Sequence, residues 1–108
     1  MMLHEPDPRV FAALGDVTRL QLLDRLRGGQ ARSITTLSAG TSLTRQAITR
    51  HLEVLADAGL VRDKKHGRER LFSLDPAPLA VVAEWADQFR RQWDDRLDRL
   101  EAFLGEPE

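Results

Sequence analysis

The chain has 108 residues, with 16 Lys and Arg against 17 Asp and Glu and no cysteine, which excludes a disulfide framework, a thiolate nucleophile and a cysteine zinc site. Its length suits one domain with one modest core, and a content of 42% hydrophobic and 31% charged residues belongs to globular rather than disordered chains. No apolar run approaches the ~20 residues of a membrane span, and residues 1–7 lack a basic or apolar leader, so the expected compartment is the cytoplasm and no membrane partner is expected.

Asp7-Pro8 reads as an N-cap with proline at the first helical position, opening a short helix through Val10, Phe11 and Leu14 that Gly15 closes. Asp16 caps a second helix over 17–27. Its predicted inner side is Val17, Leu20, Leu23 and Leu26, at every third position, with Leu22 beside them. Arg25 and Arg27 suit the negative end of its dipole, and Gly28-Gly29 stop it. Residues 34–39 read as a third helix with Ile34 and Leu37 facing inward. After the turn Gly40-Thr41-Ser42-Leu43, Thr44 caps a fourth helix to Ala58, with Ile48, Leu52 and Leu55 as its apolar face. Gly59 fits the left-handed position that follows, with Leu60 placed to cover Leu55.

There the period changes. Residues 61–65 and 69–74 read as two strands joined by His66-Gly67-Arg68. Pro76 and Pro78 punctuate before a last helix over 79–104.

Charge is segregated along this order. Residues 44–70 hold seven basic side chains (Arg45, Arg50, Arg62, Lys64, Lys65, Arg68, Arg70) against four acidic ones, whereas residues 75–108 hold four basic against nine acidic. A near-neutral total therefore does not exclude a phosphate-binding face.

Two helices joined by a short turn, the second capped by a hydroxyl residue, form a helix-turn-helix. The second must be held by an apolar face and leave a polar one free. Here the free face carries Arg45, Gln46, Thr49, Arg50 and Glu53, with the first turns placed to enter a DNA major groove. Arginine can fork onto guanine and glutamine onto adenine, while Thr44 and Thr49 suit either a phosphate or a thymine methyl. The hairpin then acts as a wing, setting Lys64, Lys65, Arg68 and Arg70 against flanking phosphates, or Arg68 into the minor groove. A solvated helix face and a Lys/Arg-rich hairpin that merely blocks edge pairing are the plainer explanations for either element alone. The expected fold is mainly α with a small β-hairpin: one winged helix-turn-helix domain over 1–108, with the helix-turn-helix at 33–58, the wing at 61–74 and the C-terminal helix at 79–104.

Ile34-Thr-Thr-Leu37, Leu43-Thr-Arg-Gln-Ala-Ile-Thr-Arg-His-Leu52 and Leu55-Ala-Asp-Ala-Gly-Leu-Val61 resemble the signature of ArsR/SmtB-type winged-helix repressors. The resemblance extends to Phe11-Ala-Ala-Leu-Gly-Asp-Val-Thr-Arg19 and Gly67-Arg-Glu-Arg70. It implies a homodimeric bacterial transcriptional regulator that binds double-stranded DNA at an operator, often its own, with Thr44, Arg45, Gln46, Thr49 and Arg50 at the reading positions. Val17 stands where the family often has proline, which softens a helix start. Ser42 stands where glycine is common, so the turn is expected to carry some backbone strain.

Much of that family senses metals, by paired cysteines on the third helix or by His and carboxylates on the last. Here the third helix reads Ile34-Thr-Thr-Leu-Ser-Ala39 and residues 79–104 hold no histidine. His4, His51 and His66 lie in three separate elements, with His51 read as a packed or phosphate-contacting residue. Glu84, Asp87, Asp94 and Asp95 read as a solvated face. No transition-metal site and no cofactor are expected, and no convergent polar groups mark a small-molecule effector.

The last helix carries Leu79, Val82, Ala86, Phe89, Trp93, Leu97, Leu100 and Leu104 on one stripe, some ~39 Å long. A body of this size covers about half of that. Leu79 to Ala86 suit ordinary core, while Phe89, Trp93, Leu97, Leu100 and Leu104 are predicted to meet a second copy, with Phe11 and Leu14 completing the seam. Trp85 and Phe103 lie off the stripe and widen it. A protein-contact winged-helix module is the alternative function, disfavoured by the absence of aromatic anchors on the fourth helix. An enzyme is not expected, for want of a Gly-rich phosphate loop or a His/carboxylate pair.

Overall fold

A computed structural model describes residues 5–105; His4 and the rest of the opening tetrapeptide lie outside the described residues. The order is α1 (Pro8–Leu14), α2 (Val17–Arg25), β1 (Arg32–Ser33), α3 (Ile34–Ser38), α4 (Arg45–Asp57), β2 (Val61–His66), β3 (Glu69–Leu74) and α5 (Ala77–Leu104).

Four helix starts are capped by side chains. Asp7 accepts from the Arg9 N–H at 2.9 Å, Asp16 from Arg19 at 3.0 Å, Ser33 from Thr36 at 3.2 Å and Thr44 from Ala47 at 3.0 Å. Each satisfies one of the N–H groups that a helix start leaves without a partner. At the far end of α4, Gly59 takes φ +79° and the Leu60 N–H donates to the Leu55 carbonyl at 2.9 Å, the expected reversal.

The core gathers Val10 and Ala13 from α1, Leu22 from α2, Leu26 just beyond it, Leu37 from α3, and Ile48, Leu52 and Leu55 from α4; Leu60, Val61 and Phe72 close it from the sheet side. Each such leucine contributes roughly 1.5–3 kcal/mol through burial.

The predicted inner side of α2 is corrected. Leu22 and Leu26, one turn apart, face inward, while Val17 is 68% exposed and Leu20 49% exposed. Positions three apart drift by about 60° per step round a helix, so Val17 and Leu26 cannot share one face.

The sheet has the order β1-β3-β2, antiparallel throughout. β1 adds a strand that the sequence reading did not foresee: Arg32 pairs with Phe72 and Ser33 with Leu71. The wing register runs from Val61↔Leu74 to His66↔Glu69, so the loop is the two residues Gly67 and Arg68 and not three. The expected strain at Ser42 is absent. Among the described residues every positive φ belongs to a glycine, and Gly40 (φ +77°) makes the reversal in this turn.

α5 starts at Ala77, so Pro78 lies within the first helical turn and does not precede the helix. The Asp75 carboxylate accepts from the Ala77 N–H at 3.1 Å and from Arg62 of β2 at 3.1 Å, tying the wing to the start of α5. Leu79 and Val82 pack against the core. Beyond Trp85, which meets Phe11 of α1, α5 runs out into solvent, and none of its 28 residues is buried. The radius of gyration is 19.4 Å, against roughly 13 Å for a compact chain of this size. No helix among the described residues is long and apolar enough to cross a membrane.

Candidate nucleic-acid interface

α4 is seated by Ile48, Leu52 and Leu55, all fully buried, and this alone decides which residues look outward. Arg45, Gln46, Arg50 and Glu53 are exposed and Thr49 is half-buried at the flank of the same face. Thr44, Gln46, Ala47, Arg50 and His51 line a recess of about 490 Å³ beside the helix start. Neither Arg45 nor Arg50 has an ion-pair partner among the described residues.

Two arginines that the sequence reading did not assign to the site brace its surroundings, Arg19 against α4 itself and Arg25 against the end of α3. The Arg19 guanidinium donates through Nε to the Ala13 carbonyl at 2.7 Å and through Nη2 to the Ala12 carbonyl at 3.2 Å. Its Nη1 lies 3.2 Å from Nδ1 of His51, which sits 3.8 Å from the Asp16 carboxylate. Of the two roles open to His51, the structure shows the packed one. The Arg19 N–H, ahead of the neighbouring charges, holds Asp16 below the usual carboxylate range. Arg25 lies in the last turn of α2, as expected, and its side chain also crosses to α3, where Nη1 donates to the Leu37 carbonyl at 2.8 Å and the Ala39 carbonyl at 2.7 Å. A cation at that helix end fixes the turn leading to α4. The only advance signal was position: Arg19 follows the capped start of α2, Arg25 ends that helix, and neither lies on the outward face of α4.

The wing divides its cations. Lys64, Lys65 and Arg68 are exposed and without an ion-pair partner among the described residues. Arg62 is engaged by Asp75. Arg70, expected to meet phosphate, is turned onto Asp63, with Nε 3.2 Å from the carboxylate and the guanidinium 5.1 Å over the Phe72 ring. The Asp63 hydrogen bond raises its guanidinium further, so it is held by the strand pair.

At the opposite side, Phe11 of α1 meets Trp85 of α5 edge-on at 5.2 Å, and Trp85 meets Phe89 at 4.8 Å. Trp85 therefore joins the apolar surface to the body of the protein. Leu14, placed at the seam from sequence, is half-buried and packs against the core on its inner side. Phe89, Trp93, Leu97, Leu100 and Leu104 stay exposed, Trp93 at 59% and Leu97 at 55%. The family's metal ligands do not fit here: α3 (Ile34–Ser38) offers no thiol and α5 no histidine. No cluster of three His, Cys, Asp or Glu among the described residues could hold a metal.

Comparison with known proteins agrees with this geometry. A family model described as a helix-turn-helix domain matches residues 14–63. The HTH-type transcriptional regulator YuzN of Bacillus subtilis is 41% identical over 76 residues, covering 65% of this chain and 83% of that relative. An ArsR-like transcriptional regulator from Rhodococcus sp. RHA1 superposes with a TM-score of 0.72 at 35% identity, over 89% of this chain and 90% of its own. The homodimeric winged helix-turn-helix DNA-binding domain Mb0332 from Mycobacterium bovis gives a TM-score of 0.60 at 29% identity, over 79% and 82% of the two chains.

Proposed function

The chain belongs to the ArsR family of winged helix-turn-helix DNA-binding transcriptional regulators, and from that premise we propose that it acts as a homodimeric repressor on a roughly palindromic operator, without a transition-metal sensor. The observation that carries the dimer is α5, a 28-residue helix with no buried residue and a continuous outward stripe from Phe89 to Leu104. A large apolar surface left in water is the mark of an association face. The Mycobacterium bovis domain, whose name gives it as homodimeric, supports a second copy as the occupant. The seam of this reading comprises Phe11, Leu14, Phe89, Trp93, Leu97, Leu100 and Leu104, with Trp85 bridging its two helices and Leu14 half-buried at its inner edge.

A two-fold axis through α5 offers two copies of α4 to major grooves one turn apart, ~34 Å, so that half-sites repeat at that spacing. Arg45, Gln46 and Arg50 read base edges, and the free Thr44 hydroxyl proton is available to a phosphate. Lys64, Lys65 and Arg68 hold flanking phosphates, and Arg70 keeps the wing in shape. In this reading the chain is no enzyme, works in the cytoplasm on one domain over 1–108, and takes no cofactor; no small-molecule effector is assigned. The test is sedimentation together with selection of bound duplexes from a random DNA pool. A dimer that enriches an inverted repeat is the expected result, and a monomer that enriches nothing overturns the reading.

A further inference from the structure

The two threonines of the reading element differ in what they leave free. Thr44 Oγ accepts from the Ala47 N–H at 3.0 Å, and its own proton remains available. Thr49 is the reverse: its hydroxyl donates to the Arg45 carbonyl one turn back, at 2.8 Å. A threonine hydroxyl folded back onto its helix in this way is held against the backbone, and the γ-methyl becomes the free end of the side chain. Thr49 sits among groups that bond to base edges: Arg45 one turn before it, Gln46 three residues before, Arg50 beside it and Glu53 one turn after. It is the one residue of this set whose free end is apolar.

We propose that Thr49 is a specificity residue that reads the C5-methyl of a thymine in the major groove, through its γ-methyl group. This rests on α4 being the DNA-reading helix. The thymine methyl is the only apolar group that base pairs present in that groove. Serine at this position could form the same backbone bond but would have no methyl to offer, so the preference belongs to threonine and not to any hydroxyl residue.

The experiment replaces single thymines of the selected duplex by deoxyuridine, which removes one methyl and leaves every hydrogen-bonding group in place. One thymine per half-site is expected to weaken wild-type binding about fourfold on replacement, the effect of one buried methyl group. The Thr49→Val variant keeps the methyl and should keep that sensitivity. Thr49→Ser should bind the thymine and deoxyuridine duplexes equally. Wild-type protein indifferent to deoxyuridine at every position, or a Thr49→Ser variant that still discriminates, overturns the proposal while leaving DNA binding intact. Failure to bind the all-thymine duplex at all overturns the reading of α4 and the proposal with it.

Discussion

Arg19 and His51 meet at 3.2 Å across the junction of α2 and α4, the guanidinium donating to Nδ1 of the ring. A guanidinium can only donate, so Nδ1 is the acceptor in this bond. Since Arg19 also holds the Ala12 and Ala13 carbonyls at the end of α1, one side chain links three helices. The Arg19→Met variant should lose about 1–3 kcal/mol in urea denaturation and bind operator more weakly. A double-mutant cycle with His51→Leu should show a coupling of about 0.5 kcal/mol or more; strict additivity would mean that the contact does not position α4.

The wing separates into anchors and struts. Arg68→Ala should weaken binding to all sequences and lower the slope of log affinity against log salt by about 1.8 per dimer, one phosphate contact per wing. Arg70→Ala, which frees Asp63, should leave that slope unchanged and shift the urea midpoint instead. Titrations at several salt concentrations check both, and equal slopes for the two variants would contradict the division.

Gln46 is exposed on the proposed reading face and carries no charge, so Gln46→Ala should relax preference at one base pair per half-site by about 1–3 kcal/mol, without altering the salt slope. Binding across a panel of operator variants reads this directly. A uniform loss over the panel would place Gln46 on the backbone.

Trp93 stands in the middle of the exposed stripe, and Trp93→Glu puts a charge where two apolar helices are expected to meet. The variant should sediment as a monomer, retain its urea midpoint when compared at monomeric concentration, and lose operator affinity by orders of magnitude. An unchanged sedimentation coefficient counts against the seam.

Acid should act through two helix starts. The Arg19 N–H holds Asp16 low, and the Ala77 N–H with the Arg62 guanidinium holds Asp75 low. A carboxyl whose folded value lies below its unfolded one stabilises the fold at neutral pH, and that stability fades as pH falls from the ordinary carboxylate range through the lowered value. Asp16→Asn keeps a capping oxygen but cannot titrate. Its urea midpoint should lie below wild type at neutral pH, approach wild type in acid, and so decline less between pH ~5 and ~2. Parallel declines would exclude Asp16 as a source of the acid sensitivity.

Local rules made most of this fold legible. Asp7, Asp16 and Thr44 cap as their residue types and positions require, and Gly59 with Leu60 ends α4 as read. Ile48, Leu52 and Leu55 define the inner face of α4 because spacings of three and four keep to one side of a helix. What escaped was set by distant partners. Arg32-Ser33 is too short to show an alternation and becomes a strand only because β3 lies beside it. Arg70 carries the same charge as Arg68, and only the strand register that puts Asp63 opposite Phe72 tells them apart. Arg19 and Arg25 bind carbonyls six to fourteen residues away, at the ends of other helices, a pairing that no periodicity describes.

On the proposed pairing through α5, a rod with no interior of its own would make pairing and repression one equilibrium. In the dilute regime the active species falls roughly fourfold when the supply of chains halves. A regulator that represses its own synthesis would thus respond more than proportionally to its own scarcity, with a threshold set by Phe89, Trp93, Leu97, Leu100 and Leu104 and needing no second ligand.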